Sequence, residues 1–335
     1  MKPSERLRAR LAGRPVDKIP NLNIVMGLAA KEAGVSYSAY AQDYRHLCEG
    51  NVRCAEMYGI DVYCTISDPA REASALGADI AFQENGPPYV THSPIYEAYG
   101  ADRLALPDPL DSPRTLDRIL GAGELARRSA GEYPVVGWVE GVLAETADMR
   151  EISRLMVDLM DEPPGMRETM DAIFGFQCLF AKRQVEAGAD YIGVGNAVAS
   201  LIGPALYEQY ALDYDRRLVA YIHGLGAGVK LHICGNITPL LPLLARVAPD
   251  ILDVDHMVDF AEAVRTFQGT PTAVDGNVDP AGVMLLGSVE DVRQGVRACI
   301  AAGDETTMIA AGCEIPAATP PENLKAMDRL LYRSV

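Results

Sequence analysis

The stretch Val229-Lys230-Leu231-His232-Ile233-Cys234-Gly235-Asn236 reads as a short strand that stops at a turn. Side chains alternate faces along a strand, so His232 and Cys234 project together while Leu231 and Ile233 face the other side. Seven further runs share its form, at 21–26, 60–66, 135–142, 191–196, 251–257, 272–278 and 306–313. Each is short, largely apolar and bounded by turn residues. Strands of a parallel sheet read this way when helices cover both faces. Helical patterns separate most of the runs, at 37–58, 113–129, 146–159, 165–187, 204–225, 237–247, 260–266, 289–302 and 321–331. Alternating strands and helices imply an α/β chain with a parallel sheet. About eight such units suit a closed (β/α)8 TIM barrel. A doubly wound open sheet is the alternative, but no GxGxxG follows an early strand. The expectation is one domain over 1–335 with a helical N-terminal extension, and with 229–234 as about the fifth strand. Segment 67–110 holds Gly86-Pro87-Pro88 and Pro107-Asp108-Pro109 and fits the scheme poorly. It reads as an excursion over the barrel mouth, with a hairpin.

The 335 residues carry 46 acidic and 30 basic side chains, a formal net charge of -16, with the Arg residues scattered. A nucleic-acid binder shows the opposite balance or a basic cluster, so that class is not expected. No apolar run reaches the roughly 18 residues of a membrane span. The basic N-terminus has no apolar region behind it, and the chain reads as cytoplasmic. Seven Cys, an odd count, argue against a disulfide framework. Cys48, Cys54, Cys178 and Cys299 fall in helical patterns and read as small packing residues. Cys64, Cys234 and Cys313 remain.

His232 and Cys234 fall at the C-terminal end of their strand. Cys313 ends the last expected strand, in Ala311-Gly312-Cys313-Glu314. A closed barrel gathers the C-terminal strand ends around one mouth, which is its active face. One imidazole and two thiolates would converge there. Three protein ligands with an open position make a catalytic zinc site, and soft sulfur donors favour zinc over magnesium or calcium. By spacing alone, His232 reads equally well as a satisfied core histidine and Cys313 as a buried packing residue. Glu140, near the end of the strand at 135–142, is a candidate fourth ligand when substrate is absent; a salt-bridged strand end is its other reading. Asn196, Asp255, Asp275 and Asn277 are candidates for binding polar substrate groups, because unpaired buried acids cost several kcal/mol. Asp253 reads as fixing loops, His256 as facing away from Asp255, and Glu314 as pointing away from the site. Trp138, Tyr63 and Tyr191 read as core.

Five stretches carry a family resemblance: Glu5-Arg6-Leu7 through Gly13-Arg14-Pro15-Val16-Asp17-Lys18-Ile19-Pro20; Glu186-Ala187-Gly188-Ala189-Asp190; Leu231-His232-Ile233-Cys234-Gly235-Asn236; Asp275-Gly276-Asn277-Val278-Asp279-Pro280; and Gly312-Cys313-Glu314-Ile315-Pro316. With these, nearly the whole chain resembles the uroporphyrinogen decarboxylase superfamily, and within it the zinc- and corrinoid-dependent methyltransferases. The resemblance implies a barrel with zinc held by His232, Cys234 and Cys313. It also implies a partner protein carrying a corrinoid such as methylcobalamin, and a methyl group moved to a small-molecule acceptor such as the thiol coenzyme M. The reverse half-reaction, demethylation of a methoxylated or methylated donor onto a cobalt(I) corrinoid protein, stays open. A non-catalytic barrel that sequesters a cobamide or small molecule is a third reading, and an open zinc position speaks against it. True decarboxylases have an arginine-rich N-terminal loop and a catalytic Asp. Here 21–35 contains no Arg, and the matching stretch reads Gly195-Asn196, so uroporphyrinogen decarboxylation is not expected.

Overall fold

A computed structural model describes residues 1–332. Its strands are β1 (Tyr63–Cys64), β2 (Asp79–Gln83), β3 (Gly86–His92), β4 (Val135–Glu140), β5 (Tyr191–Gly195), β6 (Gly228–Ile233), β7 (Ile251–Val254) and β8 (Ala273–Asp275). Six of them form one parallel sheet in the order β1-β4-β5-β6-β7-β8. Sequential order with a helical crossover after nearly every strand is the arrangement of a β/α barrel. β2 and β3 pair antiparallel, so segment 67–110 does carry a hairpin. The hairpin packs on the helices Tyr37–Gln42, Ala70–Ala75 and Val142–Arg150.

Two expected strands are not regular. Segment 21–26 joins no ladder, and 306–313 makes only single bridges, Asp275 to Met308 and Val278 to Ala311. Asparagine side chains supply part of the reason, since they compete with backbone partners. Asn21 Oδ1 accepts from both the backbone and the side chain of Asn23, and Asn23 Oδ1 takes the Ala311 N–H at 2.7 Å. The gap between the sheet edges is still spanned. Met308 N–H donates to Val274 O, Ile315 N–H to Ile24 O, and Asp61 N–H to Asn21 O. These two segments occupy the first and last strand positions, which keeps β6 fifth in the ring.

Three long helical patterns break into two helices each, two of them where a side chain caps the new helix. Asp43 separates Tyr37–Gln42 from Tyr44–Tyr58 and accepts from Arg45 N–H. Glu151, at φ 73°, ends Val142–Arg150 and caps Ile152–Asp161 through Ser153 and Arg154 N–H. The pattern at 204–225 is two helices, Ala199–Tyr210 and Leu212–Gly224. The N-terminal helix Pro3–Leu11 is pinned by Arg6, which pairs with Asp17 at 2.8 Å and Asp61 at 2.6 Å. No described helix is long and apolar enough to cross a membrane.

The interior is shaped by glycines in β5. Gly193 pairs with Trp138 across the β4–β5 ladder, and the indole lies over it. A Cβ at Gly193 would stand 2.1 Å from Trp138 Cε3, and one at Gly195 would stand 2.4 Å from Glu140 Oε2. The two inward glycines therefore make room for the large inward side chains of β4. Overpacking of this kind costs about 1–3 kcal/mol. Gly193→Ala is expected to lower the thermal midpoint by several degrees, and a melt unchanged from wild type would contradict this packing.

Candidate metal centre and active site

The site grows from the inward face of β6. Lys230 and His232 point into the barrel, and the strand register sets His232 beside Asp253 and Asp253 beside Asp275. Lys230 Nζ lies 2.6 Å from Asp253 Oδ2 and 3.1 Å from Asp275 Oδ2, all three side chains being buried. His232 Nδ1 stands 3.2 Å from Asp253 Oδ2, at ion-pair distance but poorly aligned for a hydrogen bond. Its other nitrogen, Nε2, is 3.1 Å from Cys234 Sγ.

After Cys234 the chain turns sharply at Gly235, φ 86°, whose N–H donates to Asp255 Oδ2 at 2.9 Å. Cys313 arrives from the opposite edge. Gly312 N–H donates to Val278 O, and a Cβ at Gly312 would meet His256 N at 2.2 Å. The absent side chain lets the segment close on the loop after β7. Cys313 Sγ then sits 3.5 Å from Cys234 Sγ. The donor atoms of His232, Cys234 and Cys313 all lie within 4.8 Å of one another, the one such group of His, Cys, Asp and Glu among the described residues.

Charge in this group follows from its neighbours. Burial lowers the His232 pKa, but the Asp253 carboxylate and Cys234 outweigh it and hold the imidazole well above its ordinary value. The hydrogen bond from Cys234 holds the Cys313 thiol below the usual thiol range, and the same bond with burial pushes Cys234 up. One soft, partly ionised sulfur pair beside an imidazole backed by a carboxylate is the donor set of a zinc site with an oriented histidine. The residues present fit that ion.

A cavity of about 180 Å³ opens over the group. Its apolar walls come from Ile24, Met26, Ile66, Pro69, Trp138 and Ala197, and its polar groups beyond the triad from Asp68, Glu140, Asn196 and Glu314. Glu140 is in the wall but outside the close group. Its Oε1 accepts from Arg71 Nη2 and from Trp138 Nε1, each at 3.1 Å. Burial pushes its carboxyl pKa up, against the pull of Arg71.

Of the four residues read as substrate-side, only Asn196 lines the cavity. Its Nδ2 donates to Asp215 Oδ2 at 2.9 Å, and its Oδ1 is buried with no partner. Asp255 is spent on loops: besides Gly235 it accepts from Met257 N–H, and His256, expected to face away, instead pairs with it through Nδ1 at 2.8 Å, because the strand ends at Val254 and alternation stops there. Asp275 is fully buried against Lys230 beneath the site. Asn277 Nδ2 donates to the carbonyls of Asp255 and Val258. Glu314 corrects an expectation, for it faces the cavity rather than away. The chain has left the strand by that point, so alternation no longer applies, and Glu314 Oε1 takes the Gly27 N–H at 2.6 Å. Asp253 fixes His232 and Lys230 rather than loops. Trp138 is buried as expected and also floors the cavity.

A family profile described as Uroporphyrinogen decarboxylase (URO-D) matches residues 2–332. The Methylcobamide:CoM methyltransferase MtbA of Methanosarcina mazei is 27% identical to this chain, over 97% of it and 96% of the relative. The Methylated-thiol--coenzyme M methyltransferase of the same organism is 25% identical, over 98% and 89%. The Uroporphyrinogen decarboxylase of Syntrophotalea carbinolica is 26% identical, over 85% and 83%. Among solved structures, a methyltransferase from Methanosarcina mazei superposes with a TM-score of 0.89 at 23% identity, over 98% of both chains. That likeness is one of fold.

The support behind Asn196 titrates. Burial raises the Asp215 pKa to about 7, against hydrogen bonds from Tyr207 and Asn196. An unfolded Asp titrates near about 3.9. Between those values the folded chain keeps a proton that the unfolded chain has lost, so this stabilisation is complete below about pH 4 and is lost as pH rises through about 7. Asp215→Asn is expected to flatten the fall of the urea midpoint between those pH values. An unchanged slope would show that Asp215 is ionised in the fold.

Proposed function

The chain belongs to the uroporphyrinogen decarboxylase family, and from its site we propose that it is a zinc enzyme that moves a methyl group between a corrinoid on a partner protein and a small thiol. The observation that carries the reading is the convergence of one imidazole and two sulfurs at the C-terminal mouth of the sheet. Its relatives at full length include methylcobamide:CoM methyltransferases, which supports the same chemistry.

In this reading His232, Cys234 and Cys313 hold zinc and leave a position open to substrate. Bound zinc would keep a substrate thiol deprotonated at neutral pH, where a free thiol of pKa about 8.5 is mostly protonated. Asp253 orients His232 through Nδ1 and is itself held by Lys230. Gly195 leaves room for the Glu140 and Trp138 side chains beside the triad, and apolar side chains from Ile24 to Trp138 line the cavity. Glu140 is tied to Arg71 and Trp138, so we assign it to the wall beside the metal group and not to the group itself. A corrinoid on the partner would supply the methyl group as a cation equivalent, keeping both Co–C electrons on cobalt, while His232, Cys234 and Cys313 would hold the zinc that presents the substrate thiolate, whose proton goes to solvent; the reverse direction would use the same residues.

The absence of Arg at 21–35 and the small cavity speak against a polyanionic tetrapyrrole as substrate. A cobamide is likewise too large for about 180 Å³, so it must reach the site from outside, on its own protein. The segments that follow the strands offer exposed apolar side chains for such docking: Leu201 in the helix after β5, Met257 after β7 and Leu286 after β8.

Wild-type protein is expected to purify with about one zinc per chain, as three protein ligands and an open site imply. Cys234→Ala should lose the metal together with the decay of methyl-cobalt absorbance in the presence of thiol. Zinc held by the variant at full stoichiometry would sink the assignment. The double variant Met257→Glu, Leu286→Glu is expected to lower kcat/KM for a methylated corrinoid protein about tenfold, as loss of apolar anchors at an interface does. It should leave turnover with free methylcobalamin near wild type. Equal losses with both would place the docking face elsewhere.

A further inference from the structure

We infer that the small molecule taken by this cavity carries no negative charge beyond its sulfur, and that the group there is a neutral or cationic hydrogen-bond donor. The sulfur end of this inference rests on the methyltransferase reading; the other end rests on the cavity wall alone.

Fourteen residues line the cavity and none is Lys or Arg. Its polar wall consists of Asp68, Glu140, Asn196 and Glu314, three carboxyl groups and one amide. The nearest guanidinium groups are already neutralised from behind. Arg114 Nη2 lies 2.5 and 2.6 Å from the two oxygens of Asp68. Arg71 Nη2 lies 3.1 Å from Glu140 and 3.2 Å from Glu72. Two thiolates cancel the charge of a divalent ion, so the loaded metal group adds no positive charge either.

What the wall leaves unmet is an acceptor. Asn196 commits its amide N–H to Asp215, which leaves its buried Oδ1 without a donor. A buried acceptor with no partner carries a desolvation cost that a ligand N–H or O–H would relieve. A carboxyl group, in either protonation state, supplies no cation. A sulfonate or carboxylate in this space would be stripped of water with no cation in the lining to replace it. Recognition of such anions uses Arg or Lys. Coenzyme M, named for several relatives, ends in a sulfonate. This wall has no counterpart for it, so the chain handles a different small molecule from those relatives.

Three thiols of equal length separate the cases: 2-mercaptoethylamine, 2-mercaptoethanol and 2-mercaptoethanesulfonate. Their binding to zinc-loaded protein is measured by titration calorimetry, and their S-methylation by methylcobalamin is followed in parallel. The amine and the alcohol are expected to bind at least tenfold tighter than the sulfonate. Glu314→Gln, with zinc content verified, is expected to reduce the advantage of the amine over the alcohol. Sulfonate affinity equal to or above the other two would overturn the inference, and methyl transfer to it would at the same time uphold the methyltransferase reading. The expected order of affinity without methyl transfer in either direction would uphold the inference and remove that reading.

Discussion

Lys230 sits buried between Asp253 and Asp275, and the geometry of the site depends on that cluster. Burial disfavours the ammonium, but the two carboxylates outweigh it and keep Lys230 charged. Asp253 in turn stays ionised, with its pKa held low by Lys230 and His232 against the penalty of burial. Its Oδ2 stands 3.2 Å from His232 Nδ1, on the side of the ring away from Nε2 and Cys234. Breaking a buried pair from one side leaves an uncompensated charge, at about 3–5 kcal/mol. Loss of Lys230 would therefore disturb both the fold and the imidazole of the His232, Cys234 and Cys313 group.

The remaining geometry follows from where side chains are missing. Parallel register puts Glu140, Gly195, His232, Asp253 and Asp275 in one row across the sheet. Gly195 is the gap in that row, and the cavity stands over it. Gly235 turns the chain after Cys234, and Gly312 lets the last segment close onto the loop after β7. Asp255 never touches the cavity, yet it clamps Gly235 and so helps aim Cys234. The acids around Arg71 form a second buried layer that shapes the wall without entering the metal group.

The local strand pattern of 229–234 was enough to bring His232 and Cys234 to one face, and the repeated strand–helix alternation was enough to bring Cys313 to the same mouth. What stayed hidden depended on register and on irregular backbone. Asp253 could be matched to His232 only once β6 and β7 were aligned, because a shift of one residue would have turned it to the other face. Asp275 and Asn277 share a face by alternation, yet only Asp275 lies in the strand; two carbonyls hold the Asn277 amide elsewhere. Glu314 was misplaced by the same rule, applied beyond the end of regular structure. The asparagines at 21 and 23 look like strand residues in an apolar run, but their side chains take over hydrogen bonds a ladder would use. Glu140 is in the wall where its strand position put it, and its ties to Arg71 arise from a helix that no local pattern connects to β4.

The central claim is that one imidazole and two sulfurs of this chain form a zinc centre with a position left for substrate. X-ray absorption at the zinc edge of the purified protein tests it without reference to any substrate. The account predicts two sulfur scatterers at about 2.3 Å and at least one nitrogen at about 2.0–2.1 Å. Addition of 2-mercaptoethylamine should raise the sulfur count to three. A shell of oxygen and nitrogen alone, or a sulfur count that thiol leaves unchanged, would contradict it.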